Sequence, residues 1–128
     1  METNYLLDTH TFLYWQLEEK SLSKKVLKLL SKPETSFFLS TLSILEIQYW
    51  IEIGRVEIQI GDIFSFIDSR PNFKILPFDR PSLVESIKLD SHRDPFDRII
   101  VSTAIAYKLK LLSKDRLITK RFPNLVIW

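Results

Sequence analysis

Two kinds of apolar pattern alternate along the chain. Short unbroken apolar runs come at Asn4-Tyr5-Leu6-Leu7, Ser36-Phe37-Phe38-Leu39-Ser40, Phe73-Lys74-Ile75-Leu76, Leu109-Lys110-Leu111-Leu112 and Leu125-Val126-Ile127. Runs of this length predict strands, and unbroken ones suit strands covered on both faces. Between them the spacing turns helical. Phe12 to Leu17 predicts a helical turn or two, and Ser21 to Leu30 sets Leu22, Val26, Leu29 and Leu30 among lysines in an amphipathic helix that stops near Pro33. Thr41 to Ile53 is a helix closed by Gly54, a common C-terminal residue. Further helices are predicted from Gly61 or Asp62 to Asp68, from Pro81 to Leu89, from Pro95 to about Lys108, and from Leu117 to Phe122. Strands that alternate with helices predict one α/β domain over residues 1–128, a three-layer α/β/α sandwich around a mainly parallel sheet. In such sheets, sites form beyond the carboxyl ends of the strands.

Composition narrows the class. A chain of 128 residues, 45% hydrophobic and 27% charged, is that of an ordinary single globular domain. A formal net charge of +2 offers no broad basic field, so any nucleic-acid contact must be local. Cysteine is absent, which excludes disulfides and thiolate metal sites and fits a reducing compartment. The two glycines cannot build a Gly-rich phosphate loop. No apolar run reaches membrane-spanning length and no signal-like start precedes Asp8, so a cytoplasmic protein without membrane contact is expected.

The chemistry concentrates in acids. In His92-Arg93-Asp94-Pro95-Phe96-Asp97-Arg98, Pro95 suits a first helical position, which puts Asp94 at the N-cap and Asp97 three residues on. Asp94 therefore reads as a cap or as part of a site. Asp97 heads the stripe Ile100, Val101, Ala104 and Ile105, so it leans inward and needs a partner. Asp8 and Asp115 each follow a predicted strand, which brings three acids to one sheet edge. Glu46 shares a helix face with Leu42, Tyr49, Trp50 and Ile53, nearly opposite the polar Gln48 and Glu52. It is either satisfied by a core lysine or backbone donor, or it joins the other acids. Clustered carboxylates stay ionised only around a cation, and an all-oxygen set selects Mg²⁺ or Mn²⁺ before Zn²⁺. Such a site suits phosphodiester hydrolysis.

Leu6-Leu7-Asp8-Thr9-His10, the helix Ser40-Thr41-Leu42-Ser43-Ile44-Leu45-Glu46-Ile47, the heptapeptide His92 to Arg98 and Leu111-Leu112-Ser113-Lys114-Asp115 resemble, in family order, the PIN-domain nucleases. Within that family the match is to the VapC-type toxins of toxin–antitoxin pairs. The resemblance implies a five-stranded parallel sheet and Mg²⁺-dependent endoribonuclease activity leaving 5′-phosphate and 3′-hydroxyl ends. It implies Asp8 and Asp97 as principal metal ligands, Glu46 as a third acid that ligates or orients water, and Asp115 as a variable fourth. Asp94 is kept as support or cap, and Thr9 as a hydrogen-bonding member of the cluster and a candidate contact for substrate phosphate. His92, Arg93, Arg98 and Lys114 are either phosphate-holding or solvated, Lys114 is placed to pair with Asp115, and His10 is expected to be structural.

Two other readings remain open: a PIN-type nuclease in RNA processing or DNA cleavage outside any toxin pair, and a phosphate-responsive Mg²⁺-binding domain resembling a response-regulator receiver. The late placement of Asp97 and the helical placement of Glu46 argue against the second. Partners implied are an RNA substrate, a cognate antitoxin and a second copy in a homodimer. The apolar residues of Thr41–Ile53 with Phe12, Tyr14 and Trp15 are expected mostly in the core, and any left exposed would receive the antitoxin or form the dimer face.

Overall fold

The computed structural model describes residues 3–89 and 94–128, so His92 and Arg93 lie outside the described residues. In chain order the elements are β1 (Tyr5–Leu7), α1 (Thr9–Leu17), α2 (Lys24–Leu30), β2 (Phe37–Ser40), α3 (Thr41–Glu52), α4 (Ile60–Asp68), β3 (Phe73–Leu76), α5 (Arg80–Lys88), α6 (Pro95–Ala106), β4 (Lys110–Leu112), α7 (Arg116–Arg121) and β5 (Val126–Ile127). All strands pair in parallel, in the order β3-β2-β1-β4-β5. The chain leaves β1 towards β2 on one side and returns to β4 on the other, so the order reverses between β1 and β4, where open sheets place their ligands.

The strand residues divide between two cores, as a period of two requires. Tyr5, Leu7, Phe37, Leu39, Phe73 and Leu112 point to one face and meet Phe12 and Leu13 of α1, Val26 and Leu30 of α2, Ile44, Ile47 and Trp50 of α3, and Ile63 and Ile67 of α4. Leu6 and Leu111 point to the other, against Ile100, Val101 and Ala104 of α6 and Ile118 of α7. The three layers are thus present. α5 lies along α6, fastened where Arg98 Nε donates to the Ser86 carbonyl at 2.8 Å and where the Tyr107 hydroxyl donates to the Asp79 carboxylate.

Boundaries differ from the sequence reading where caps decide them. α1 starts at Thr9, not Phe12, because Asp8 caps it directly after β1, accepting from Thr11 N at 2.7 Å. α2 starts only at Lys24, because Ser23 accepts from Val26 N at 3.1 Å; the preceding Glu19–Ser21 forms a 3₁₀ turn instead.

Thr41 to Ile53 is not core-facing throughout. Its buried side is Ser43, Ile44, Ile47 and Trp50, while Leu45, Tyr49 and Ile53 are exposed. Gly54 follows with φ +75° and no neighbour within 4 Å of a built Cβ. Gly54→Ala should therefore cost about 1–2 kcal/mol in a urea unfolding titration, purely from the left-handed backbone. No helix among the described residues is long and apolar enough to cross a membrane.

Candidate active site

Three strand ends and the helices they launch build one cavity of about 580 Å³, lined by Asp8, Glu46, Asp94, Asp97 and Asp115. Local capping chemistry places three of these acids. Asp8 caps α1, Asp94 caps α6 by accepting from Phe96 N at 2.9 Å and Asp97 N at 3.1 Å, and Asp115 caps α7 by accepting from Ile118 N at 2.9 Å. Each anion sits at the positive end of a helix dipole, which offsets part of the cost of gathering like charges. Asp97, in the first turn of α6, and Glu46, in the second turn of α3, are half-buried and complete the acidic lining.

Asp8 is the most enclosed. Ser113 donates from Oγ to Asp8 Oδ2 at 2.5 Å, and the Asp115 backbone N–H donates to the same Ser113 oxygen at 3.1 Å. Thr11 Oγ1 donates to the Leu112 carbonyl at 2.9 Å, and Asp8 N donates to it at 3.2 Å. The ends of β1 and β4 are thereby stitched together around one carboxylate. Burial pushes the Asp8 carboxyl above its ordinary value, against the lowering pull of Ser113, Thr11 and the nearby His10. Glu46 is raised too, first by burial and then by the charges of Asp94 and Asp8, while Thr9 and His10 pull it down. That Glu46 feels both aspartates means the acids share one electrostatic environment. Thr9, almost fully buried, also pairs its hydroxyl with Ser43 Oγ at 2.9 Å.

The donor chemistry fits a hard divalent ion. Among the described residues no three acidic or histidine side chains stand as a ready-made ligand cage. Mg²⁺, though, keeps several waters and is commonly bound through one or two carboxylates, so a partly open set suits it.

The basic candidates separate. Lys114 lines the cavity, but its ammonium lies 5.9 Å from the Tyr14 ring centre instead of forming the expected pair with Asp115. Arg98 donates from Nε to the Ser86 carbonyl and is not among the residues that line the cavity. Glu46 is not neutralised by a core lysine; Thr9 serves it. His10 is exposed and lines the cavity, with its ring against Trp50 and Tyr14. Arg55, Tyr14 and Trp50 also line the cavity; the sequence places Tyr14 and Trp50 in the core or at a partner face and assigns Arg55 no role at the site, although Trp50 on the face of Glu46 was a usable signal. Ser113 escaped because nothing in a lone serine before Lys-Asp marks a buried hydrogen bond across the sheet.

The family profile described as PIN domain matches residues 5–121. Among solved structures, the chain is similar to VapBC2 of Rickettsia felis, bound to a fragment of its promoter DNA (22% identity, TM-score 0.75, 98% of each chain covered). It is also similar to FitAcB of Neisseria gonorrhoeae (20% identity, TM-score 0.66, 97% of this chain and 96% of that one). VapBC-1 of Haemophilus influenzae matches at 16% identity with a TM-score of 0.69, again over 97% and 96%. A search of curated proteins returns no match.

Proposed function

Because the chain belongs to the PIN domain family, we propose that it is a divalent-metal-dependent endoribonuclease and the toxin of a toxin–antitoxin pair. The observation that carries the reading is the convergence of Asp8, Glu46, Asp94, Asp97 and Asp115 on one cavity at the point where the strand order reverses. Asp8, Asp97 and Glu46 are the residues that would hold Mg²⁺ or Mn²⁺, with Asp115 at the margin and Asp94 supporting as a cap. Such an ion, when bound, lowers the pKa of an attacking water and neutralises charge on the phosphodiester. The chain itself fixes the Asp8 carboxylate through Ser113 and Thr11, and Glu46, lining the same cavity, is the acid that would hold an ion or orient a water. Lys114 is available for substrate phosphate.

A protein partner is supported by what the fold leaves uncovered. Leu45, Tyr49 and Phe96 are exposed and border a mostly apolar groove that shares Glu46 and Trp50 with the acidic cavity. An antitoxin helix or strand seated there would bring a basic side chain within reach of the acids. The exposed Leu83, Val84 and Ile87 of α5 are the side chains we assign to a homodimer contact.

The test is cleavage of RNA by purified protein with Mg²⁺, with excess chelator, and with Mg²⁺ restored. Activity should vanish with chelator and return with the ion; cleavage that persists in chelator would remove the reading. Growth arrest on expression, relieved by a small protein encoded next to this one, separates a toxin from a PIN nuclease of RNA processing.

A further inference from the structure

The acids are only part of the cavity wall. His10, Tyr14, Trp50, Arg55 and Lys114 line the cavity as well, and each touches the next in a row of ring and cation contacts. The Arg55 guanidinium lies 5.3 Å from the Trp50 ring centre, and Trp50 and His10 have centroids 5.1 Å apart at 48°. His10 and Tyr14 follow at 6.4 Å and 46°, and the Lys114 ammonium closes the row 5.9 Å from Tyr14. Trp50 is buried and backs the row, whereas the His10 ring is exposed to the cavity. No metal-holding role needs these five residues.

Ring faces ended by cations have a definite preference. A planar base stacks on an aromatic face, and the phosphates on either side of it suit an arginine and a lysine. An acidic peptide would find the same cations but also five carboxylates in the same cavity, so it is disfavoured. A base inside a duplex has no free face to offer. Resting on the nuclease reading above, we propose that the Trp50–His10–Tyr14 row is a stacking subsite for one unpaired base beside the acids, with Arg55 and Lys114 at its two ends attracting the phosphates of the strand. The subsite makes the protein select single-stranded nucleic acid, and it supplies locally the attraction that a net charge of +2 does not.

The test measures binding, so that it does not depend on turnover. Asp97→Asn protein is titrated with labelled oligoadenylate, with an abasic ribose-phosphate oligomer of equal length, and with a blunt duplex, all by fluorescence anisotropy. Oligoadenylate should bind roughly tenfold tighter than the abasic oligomer, within the range of one base stacked on an aromatic ring. The duplex should bind no better than the abasic oligomer. His10→Ala should bring the ratio close to one, and His10→Phe should restore it. Arg55→Gln should weaken both oligomers alike and flatten the salt dependence. An unchanged ratio in His10→Ala, whether or not both oligomers bind more weakly, would overturn the subsite. If the wild type still cleaves RNA in Mg²⁺ while the ratio fails to respond, only the subsite falls; if the wild type cleaves nothing, the nuclease reading falls and the binding ratio is judged separately.

Discussion

Asp97→Asn should lower Mg²⁺-dependent RNA cleavage by roughly a hundredfold or more, the scale of losing a group that stabilises charge in a transition state, while the far-UV circular dichroism stays unchanged. The fold should survive because Asp97 does not cap α6. That task belongs to Asp94, whose Oδ1 accepts from both Phe96 N and Asp97 N. The two aspartates of one helix start can therefore be separated by the same change of charge. Asn caps a helix nearly as well as Asp, so Asp94→Asn should keep α6 and leave activity within a fewfold of wild type. Initial rates at saturating Mg²⁺ for the two variants, side by side, decide which carboxylate is chemical and which is architectural. Equal losses would place Asp94 among the ion-holding residues; an active Asp97→Asn would remove Asp97 from them.

This division was partly legible in the sequence. Pro95 announced the helix start, and with it the cap at Asp94, because proline is tolerated there and almost nowhere else in a helix. The apolar runs gave the strands since a sheet covered on both faces needs unbroken apolar residues, and Leu6 and Leu7 do go to opposite cores. Helix direction was harder. Thr41–Glu52 is apolar nearly all round, so its periodicity could not say which side is buried; α1 and the sheet choose Ile44 and Ile47, and Leu45 and Tyr49 are left outside. Contacts across the sheet were out of reach for a related reason. The Ser113–Asp8 bond spans 105 positions, and the row from Arg55 to Lys114 joins α1, the end of α3 and the loop after β4. No local pattern encodes such meetings. The β1–β4 pairing that places Leu7 beside Leu112 creates the first, and the seating of α1 against α3 creates much of the second. Arg98 is a further case: the charge next to the motif was legible, but its Nε bond to a carbonyl on the neighbouring helix was not.

Asp8→Asn should remove activity and, in chelator at pH 7, make the protein more stable than wild type. The sign follows from burial. The folded Asp8 carboxyl titrates above 3.8, its ordinary value, so between 3.8 and the folded value the native state holds more protons than the unfolded one. Stability from this group then falls as pH rises through that window, and the deficit is complete above it. Glu46, raised from 4.5 for the same first cause, adds a second deficit of the same sign. Asparagine keeps the acceptor for Thr11 N and can donate its amide to Ser113, so the cap survives while the buried charge is gone. Thermal unfolding in chelator should show a higher Tm for Asp8→Asn at pH 7, by about 4 °C for each kcal/mol of relieved burial, and the gap should close towards pH 4. Adding Mg²⁺ should then raise the wild-type Tm and leave that of the variant unmoved, since an ion that binds only the folded wild type stabilises it by mass action, about 2.7 kcal/mol at a hundred times Kd. A variant less stable than wild type at pH 7 would mean that the hydrogen bonds to Asp8 outweigh its desolvation, and that this carboxylate holds α1 in place instead of being held in readiness for a cation.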